Sequence, residues 1–236
     1  MPTTHLAILL KAPLPGLVKT RLAAGIGPEL ALGAYKAMVA CVLAAARASG
    51  LPATVHFAPA EGETAIRELC GPGYGYQIQV EGDLGARMAG AMAWSFARGA
   101  GAVVLVGGDV PLVTGGVLRQ AARELEHGQA VLGPATDGGY YLLGIRRRAF
   151  GAHVFRDMPW STAAVAQRTR EALEAAGTPA ALLPVLPDCD TVADLRRLAL
   201  SPLRERLAGT PLDEFLSGLP AEIFDQHPRF PITGGM

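Results

Sequence analysis

The stretch "VVLVGGDVPLV", residues 103–113, decides how the rest of the chain is read. Val103 to Val106 are apolar without alternation, the pattern of a strand covered on both faces and therefore of the middle of a parallel sheet. The run stops at Gly107 and Gly108, presents Asp109 and turns away at Pro111. In open α/β sheets the ligand crevice lies beyond the carboxyl ends of the strands. A carboxylate delivered there is a hard oxygen ligand suited to Mg²⁺ or Mn²⁺ beside a diphosphate. The competing reading is an Asp that satisfies loop amides, common at strand ends. The paired glycines favour a site, because they leave room for a bulky ligand.

Around this strand, "HLAILLK" (5–11), "ATVHFA" (53–58), "YQIQVE" (76–81), "QAVLGP" (129–134), "GYYLLGI" (139–145) and "ALLPVLP" (181–187) read as further strands. Between them Tyr35, Met38, Val39, Val42, Leu43 and Ala46 fall at helical spacing and stop at Ser49-Gly50, a helix with its C-cap glycine. Further helices are expected over 85–98, 114–127, 162–176 and 191–199. Strands alternating with helices predict an α/β fold, a mostly parallel central sheet flanked by helices. No linker divides the chain. Residues 1–200 are expected to form one domain, and 201–236 a short C-terminal helix and irregular tail packed on it or trailing from it.

Lys plus Arg and Asp plus Glu both number 21, so no global field gathers nucleic acid or an anionic membrane, and any attraction to anions is local. The longest apolar run, "AMVACVLAAA" (37–46), is about half of the roughly 20 residues a membrane span needs. It reads as a buried helix. With neither signal peptide nor anchor visible, the chain is expected to be cytoplasmic. Cys41, Cys70 and Cys189 are odd in number, distant and without C-x-x-C spacing, which argues against disulfides or zinc. The five histidines, including His153 and His227, are scattered, and nucleophile-elbow, P-loop and zincin patterns are absent. Oligomeric state is not indicated.

The loop after the first strand, "LLKAPLPGLVKTRL" (9–22), gathers Lys11, Lys19 and Arg21 with no acid. Pro13 and Pro15 stiffen it, Gly16 allows close approach, and Lys19 and Arg21 precede a helix, a combination that suits phosphate oxygens. A solvated basic loop is the plainer alternative, since two cations about 8 Å apart in water repel by only about 0.5 kcal/mol. In "PDCDTVADL" (187–195), Thr191 and Asp194 form a capping box, leaving Asp190 free to reach a metal held by Asp109. Asp188 either does the same or faces solvent.

"GPATDGGYYLLG" (133–144) offers a hairpin Asp-Gly turn, or a site in which Gly138 and Gly139 expose amides while Asp137 accepts a hydroxyl proton. In "EGDLGARM" (81–88) Arg87 either reaches a phosphate or is a surface helix residue. "PWST" (159–162) places Ser161 at an N-cap and Trp160 in the core or on a pocket wall.

Taken in order, "KAPLPGLVKTRL", "GDLGARM", "GGDVP", "GPATDGGYYLLG", "PWST" and "DCDTVADL" resemble a bacterial family of the nucleotide-diphospho-sugar transferase superfamily, glycosyltransferases with the GT-A fold, over about residues 5–200. The family is similar to the molybdenum-cofactor and 2-phospholactate nucleotidyltransferases. The resemblance implies a single GT-A-like, Rossmann-like domain. It implies that Lys11, Lys19 and Arg21 contact nucleotide phosphates and that Ala12 and Pro13 lie against the base. Gly82, Asp83 and Arg87 would border base or ribose, and Asp137, Gly138 and Gly139 the sugar or acceptor. Asp109 and Asp190 would hold Mg²⁺ or Mn²⁺. One departure stands out: "GGDVP" supplies one Asp where such glycosyltransferases carry Asp-x-Asp.

Three functions follow as expectations. The first is metal-assisted transfer of a sugar from a nucleoside-diphosphate donor to a small-molecule acceptor hydroxyl, with Asp137 as base and Lys19 and Arg21 stabilising the departing diphosphate. The second is nucleotidyl transfer from a nucleoside triphosphate to a phosphorylated acceptor, which the basic loop favours because a triphosphate needs more compensating charge. The third is a non-catalytic nucleotide-binding module.

Overall fold

The computed structural model describes residues 3–151 and 154–225. In chain order the elements are β1 (Thr4–Lys11), α1 (Thr20–Ile26), α2 (Pro28–Ser49), β2 (Ala53–Ala58), α3 (Glu63–Cys70), β3 (Gly75–Ile78), α4 (Leu84–Ala97), β4 (Ala102–Gly107), α5 (Gly115–His127), β5 (Ala130–Pro134), β6 (Tyr140–Arg146), α6 (Val165–Ala175), β7 (Ala180–Leu182), α7 (Val192–Leu200), α8 (Pro211–Ser217) and α9 (Glu222–Asp225). One seven-stranded sheet has the order β3-β2-β1-β4-β6-β5-β7. β6 runs antiparallel to both its neighbours, and the other pairings are parallel. This is the expected α/β architecture, a GT-A-like, Rossmann-type fold.

β4 sits in the middle, as its unbroken apolar run requires. Val104 and Val106 join the core beneath α2, whereas Val103 and Leu105 join the second core beneath α4. β1 divides likewise, with Leu6, Ile8 and Leu10 on the first side and Ala7 on the second. Alternate residues of one strand therefore face two dry layers, each fully buried branched side chain contributing roughly 1.5–3 kcal/mol.

α2 is longer than its apolar spacing suggested. It begins at Pro28, a residue pre-shaped for a first helical position, and ends at Gly50 with φ 73. Among its first turns, Gly33 lets a neighbour approach closely: a Cβ there would lie 2.8 Å from the Phe215 ring of α8. By length and composition this helix alone among the described residues could cross a membrane, but it is packed against the sheet, α5 and α8. α3 is a single eight-residue helix whose Ile66, Leu69 and Cys70 repeat at helical spacing and pack on the first core.

Two strands are shorter than expected. β3 ends at Ile78, and the chain then leaves the sheet toward Gly82, whose φ is 124. β7 stops at Leu182, ahead of Pro184 and Pro187, which lack the amides a ladder needs; Leu186 makes only an isolated bridge to Ala135. After α7, a tight turn over Pro202–Leu207 leads to α8, whose Leu212 and Leu216 enter the first core. The tail from 226 onward and His153 lie outside the described residues. All three cysteines are free and buried.

His56 on β2 is buried against Trp94, ring centroids 5.4 Å apart, and its Nε2 has no partner among the described residues. Burial, then the charges of His5 and Arg98, push its pKa down to about 4 from 6.5. Between those values the unfolded chain binds a proton the folded chain refuses, so stability falls as pH falls through that window. Urea unfolding at pH 7 and pH 4.5 is expected to show a loss of about 2 kcal/mol from this group. The His56→Leu variant should lose most of that dependence.

Candidate functional site

A cleft of about 1050 Å³ opens beyond the carboxyl ends of β1 and β4, and Lys11, Lys19, Arg21, Asp109, Asp137 and Asp190 all line it. The loop that seemed to gather cations without an acid receives its acid from the far end of the sequence. Lys19 Nζ lies 2.5 Å from Asp190 Oδ1 and 3.9 Å from Asp109 Oδ2, and Arg21 pairs with the other Asp190 oxygen. The Lys19 side chain is only 6% exposed. Burial alone would lower its pKa, but the charges of Asp109 and Asp190 outweigh that and hold it above the ordinary lysine value. Burial would likewise raise Asp190, but Lys19 and then Arg21 hold it below the usual carboxylate range.

Local structure aims these groups. Lys19 precedes α1 with φ 47, a left-handed conformation uncommon for a side-chain-bearing residue. Tyr35 of α2 clasps the end of β1, its hydroxyl donating to Lys11 O at 2.7 Å and accepting from Lys11 N at 3.1 Å. Asp190 stands just before α7, where Thr191 and Asp194 complete the expected capping box; Asp194 Oδ2 also accepts from Asp190 N at 3.1 Å. Cys189 N donates to Asp109 O at 3.2 Å, which brings the two aspartates to one place.

Both oxygens of Asp190 are engaged by Lys19 and Arg21, which makes Asp190 the counter-anion of the loop in this structure. Asp109 remains, its side chain 45% exposed at the end of β4. No cluster of three acidic, His or Cys ligands exists among the described residues. One carboxylate suits a metal that takes its other ligands from phosphate oxygens and water, the usual habit of Mg²⁺. The glycine argument is also refined. Gly107 borders Asp109, but a Cβ on Gly108 would meet Leu10 at 2.6 Å and Val39 at 3.1 Å. Gly108 gives room to the core, not to a ligand.

Asp137 lies in the turn joining β5 to β6, so the plain hairpin reading holds in its geometry. The amides expected to face a ligand are already used: Gly139 N donates to Asp137 Oδ1 at 2.8 Å and Gly138 N to Ala135 O at 3.3 Å. Gly138, at φ 88, is required because a Cβ would lie 2.2 Å from Ala163 O. Asp137 still lines the cleft, and so does Asp188. Burial, then the charge of Asp137, raises the Asp188 carboxyl, while Thr136 donates to its Oδ1 at 3.2 Å. Asp188, for which the sequence left metal binding and solvent exposure both open, is thus a carboxylate of the cleft.

On the other rim, Gly82 and Arg87 line the cleft, Arg87 Nε donating to Gly82 O at 3.1 Å. Asp83 does not join them. It caps α4, Oδ1 accepting from Ala86 N at 2.8 Å. Ala12 and Pro13 are buried rather than turned to the cleft: Ala12 N continues the pairing to Ala58 O at 2.8 Å, and its methyl fills the space beside Gly62. Ser161 is not an N-cap, because α6 starts only at Val165; it has φ 65 and lines the cleft beside Trp160.

With this geometry in view, likeness to known proteins is informative. Residues 41–162 match the model of the family described as "Uncharacterized protein conserved in bacteria (DUF2064)". No curated protein sequence matches. Among solved structures, a Desulfovibrio desulfuricans protein with a provisional assignment as a nucleotide-diphospho-sugar transferase is 33% identical, over 94% of this chain and 97% of that one, with TM-score 0.85. Rv0371c of Mycobacterium tuberculosis, in complex with manganese, is 22% identical over 84% of this chain and 98% of its own, with TM-score 0.54. A CMP:2-keto-3-deoxy-manno-octonic acid synthetase complexed with CTP is 12% identical over 83% and 96%, with TM-score 0.51. The last two likenesses concern the fold alone.

Removing Asp190 while Lys19 stays buried leaves a charge with only a distant partner. Asp190→Ala is expected to cost about 3 kcal/mol in thermal or urea unfolding. The double variant Lys19→Met with Asp190→Asn should cost clearly less than the sum of its two single variants.

Proposed function

Since the chain belongs to this DUF2064 family of bacterial proteins, we propose that it is a transferase that moves a sugar from a nucleoside-diphosphate donor to the hydroxyl of a small-molecule acceptor. The observation that carries the proposal is the pairing at the ends of β1 and β4: Lys19 and Arg21 held by Asp190, with Asp109 beside them. Of the charged residues lining the cleft, four are cations (Lys11, Lys19, Arg21, Arg87) and four carboxylates (Asp109, Asp137, Asp188, Asp190). A cleft so balanced has less charge to spare than the isolated basic loop suggests. That favours a diphosphate sugar over the more highly charged triphosphate of a nucleotidyl transfer.

Lys11 and Arg87, which have no acidic partner within 4.0 Å among the described residues, take the outer phosphate oxygens. Lys19 and Arg21 face the bridging region and stabilise charge growing on the departing diphosphate. A divalent cation, Mg²⁺ or Mn²⁺, held by Asp109 and the phosphates would supply further charge neutralisation there. The manganese in the Rv0371c structure makes such a cation a reasonable companion for this fold. Gly82 and Arg87 border the nucleoside. Asp137, with one oxygen beyond its bond to Gly139, receives the acceptor proton, and Asp188 beside it shares that end of the cleft.

The test is an assay with labelled nucleotide sugars and nucleoside triphosphates, with and without divalent metal. The expected product is nucleoside diphosphate; pyrophosphate would instead identify nucleotidyl transfer. A ligand at 100 times its dissociation constant should raise folded-state stability by about 2.7 kcal/mol in a thermal shift. Asp109→Ala should abolish the metal-dependent part of that shift, and its persistence would remove Asp109 from the site.

A further inference from the structure

The cleft is also lined by Leu84, Met88, Tyr140, Trp160 and Val165. Trp160 is held there deliberately from several sides. A Cβ on Gly85, in the first turn of α4, would lie 2.8 Å from the Trp160 ring, so the indole rests directly on helix backbone. Its own segment is drawn tight: Trp160 N donates to Met158 O at 2.8 Å, and Thr162 Oγ1 to Pro159 O at 2.8 Å. Ser161, next in sequence, takes φ 65, the kind of backbone strain that persists only where surroundings impose it. The segment is also docked on the β5–β6 turn, Ala166 N donating to Gly138 O at 2.9 Å and Gly138 lying against Ala163. Trp160 and Asp137 are thus locked onto one rim.

We propose that Trp160 is the platform on which the transferred sugar ring stacks, on the rim where Asp137 receives the acceptor's proton. The proposal rests on the sugar-transferase reading and assigns its specificity-determining residue. A pyranose presents an apolar C–H face that suits an aromatic surface. Lys19, Arg21 and Asp109 line the same cleft as the Trp160 segment, so one donor can be held by its phosphates at the cations and by its sugar at Trp160.

The chain has two tryptophans, and Trp94 lies outside the cleft against His56 and Arg98. Trp94→Phe therefore leaves Trp160 as the only indole reporter. In that variant a nucleotide sugar should change the emission, and the matching nucleoside diphosphate should not. By calorimetry Trp160→Ala should bind the nucleotide sugar about three- to tenfold more weakly while binding the diphosphate unchanged, and Trp160→Phe should retain most of the affinity. If the diphosphate alone gives the full emission change, the stacked ring is the base and the proposal is overturned. Equal affinity of wild type and Trp160→Ala for the nucleotide sugar overturns it as well, leaving the transferase reading intact. If wild type binds neither ligand, the transferase reading fails and takes this one with it. Should Trp160→Ala fold poorly, the emission experiment and Trp160→Phe still decide.

Discussion

A lysine ammonium buried between two carboxylates organises this end of the molecule. Lys19 is nearly sequestered from solvent, and an unpaired charge in that position would cost several kcal/mol. Asp190 and Asp109 remove that penalty, but only if the loop after β1, the end of β4 and the entry to α7 are all in register. The left-handed backbone at Lys19, the capping box of α7 and the main-chain bond from Cys189 to Asp109 serve this single convergence. The rest of the cleft is arranged around it.

The convergence also changes the electrostatics of the site. Taken alone, the loop is a triply cationic feature that invites the most heavily charged phosphate chain. Paired with Asp190 and facing Asp109, Asp137 and Asp188, it belongs to a cleft in which charges of both signs are interleaved. Preorganised cations of this kind stabilise charge where it develops without drawing anions indiscriminately, since their fields are largely confined to the contact distance. The overall balance of 21 cationic and 21 anionic side chains is therefore mirrored within the cleft itself.

Much of the fold was legible because its strands are short, apolar and separated by helical spacing. β2 and β4 fall where their apolar runs begin and end. α3 was not, because it spans only the eight residues Glu63–Cys70, although Ile66, Leu69 and Cys70 repeat at helical spacing. Lys19, Arg21, Asp109 and Asp137, polar residues at strand ends or turns, do meet in one cleft. Asp83 instead caps a helix, and Ala12 and Pro13 are buried, in the same kind of glycine-bounded and proline-bounded loop. Asp188 and Trp160 were ambiguous for another reason: the surroundings that give each its place, Asp137 for one and Gly85 for the other, lie far away in sequence.

By itself the sequence determined the α/β class, the central position of the strand before Asp109, the capping box at Thr191 and the set of charged residues available to a site. These follow from local physics: hydrophobic period, backbone preference and side-chain chemistry within a few residues. Only the tertiary structure decided that β6 runs antiparallel, that Asp190 neutralises Lys19 and Arg21 instead of standing free, and that the Gly138 turn carries the Trp160 segment. Those outcomes depend on which atoms meet across 20 to 170 residues of intervening chain. Distance along the chain carries no information about such meetings, because packing, not spacing, selects them.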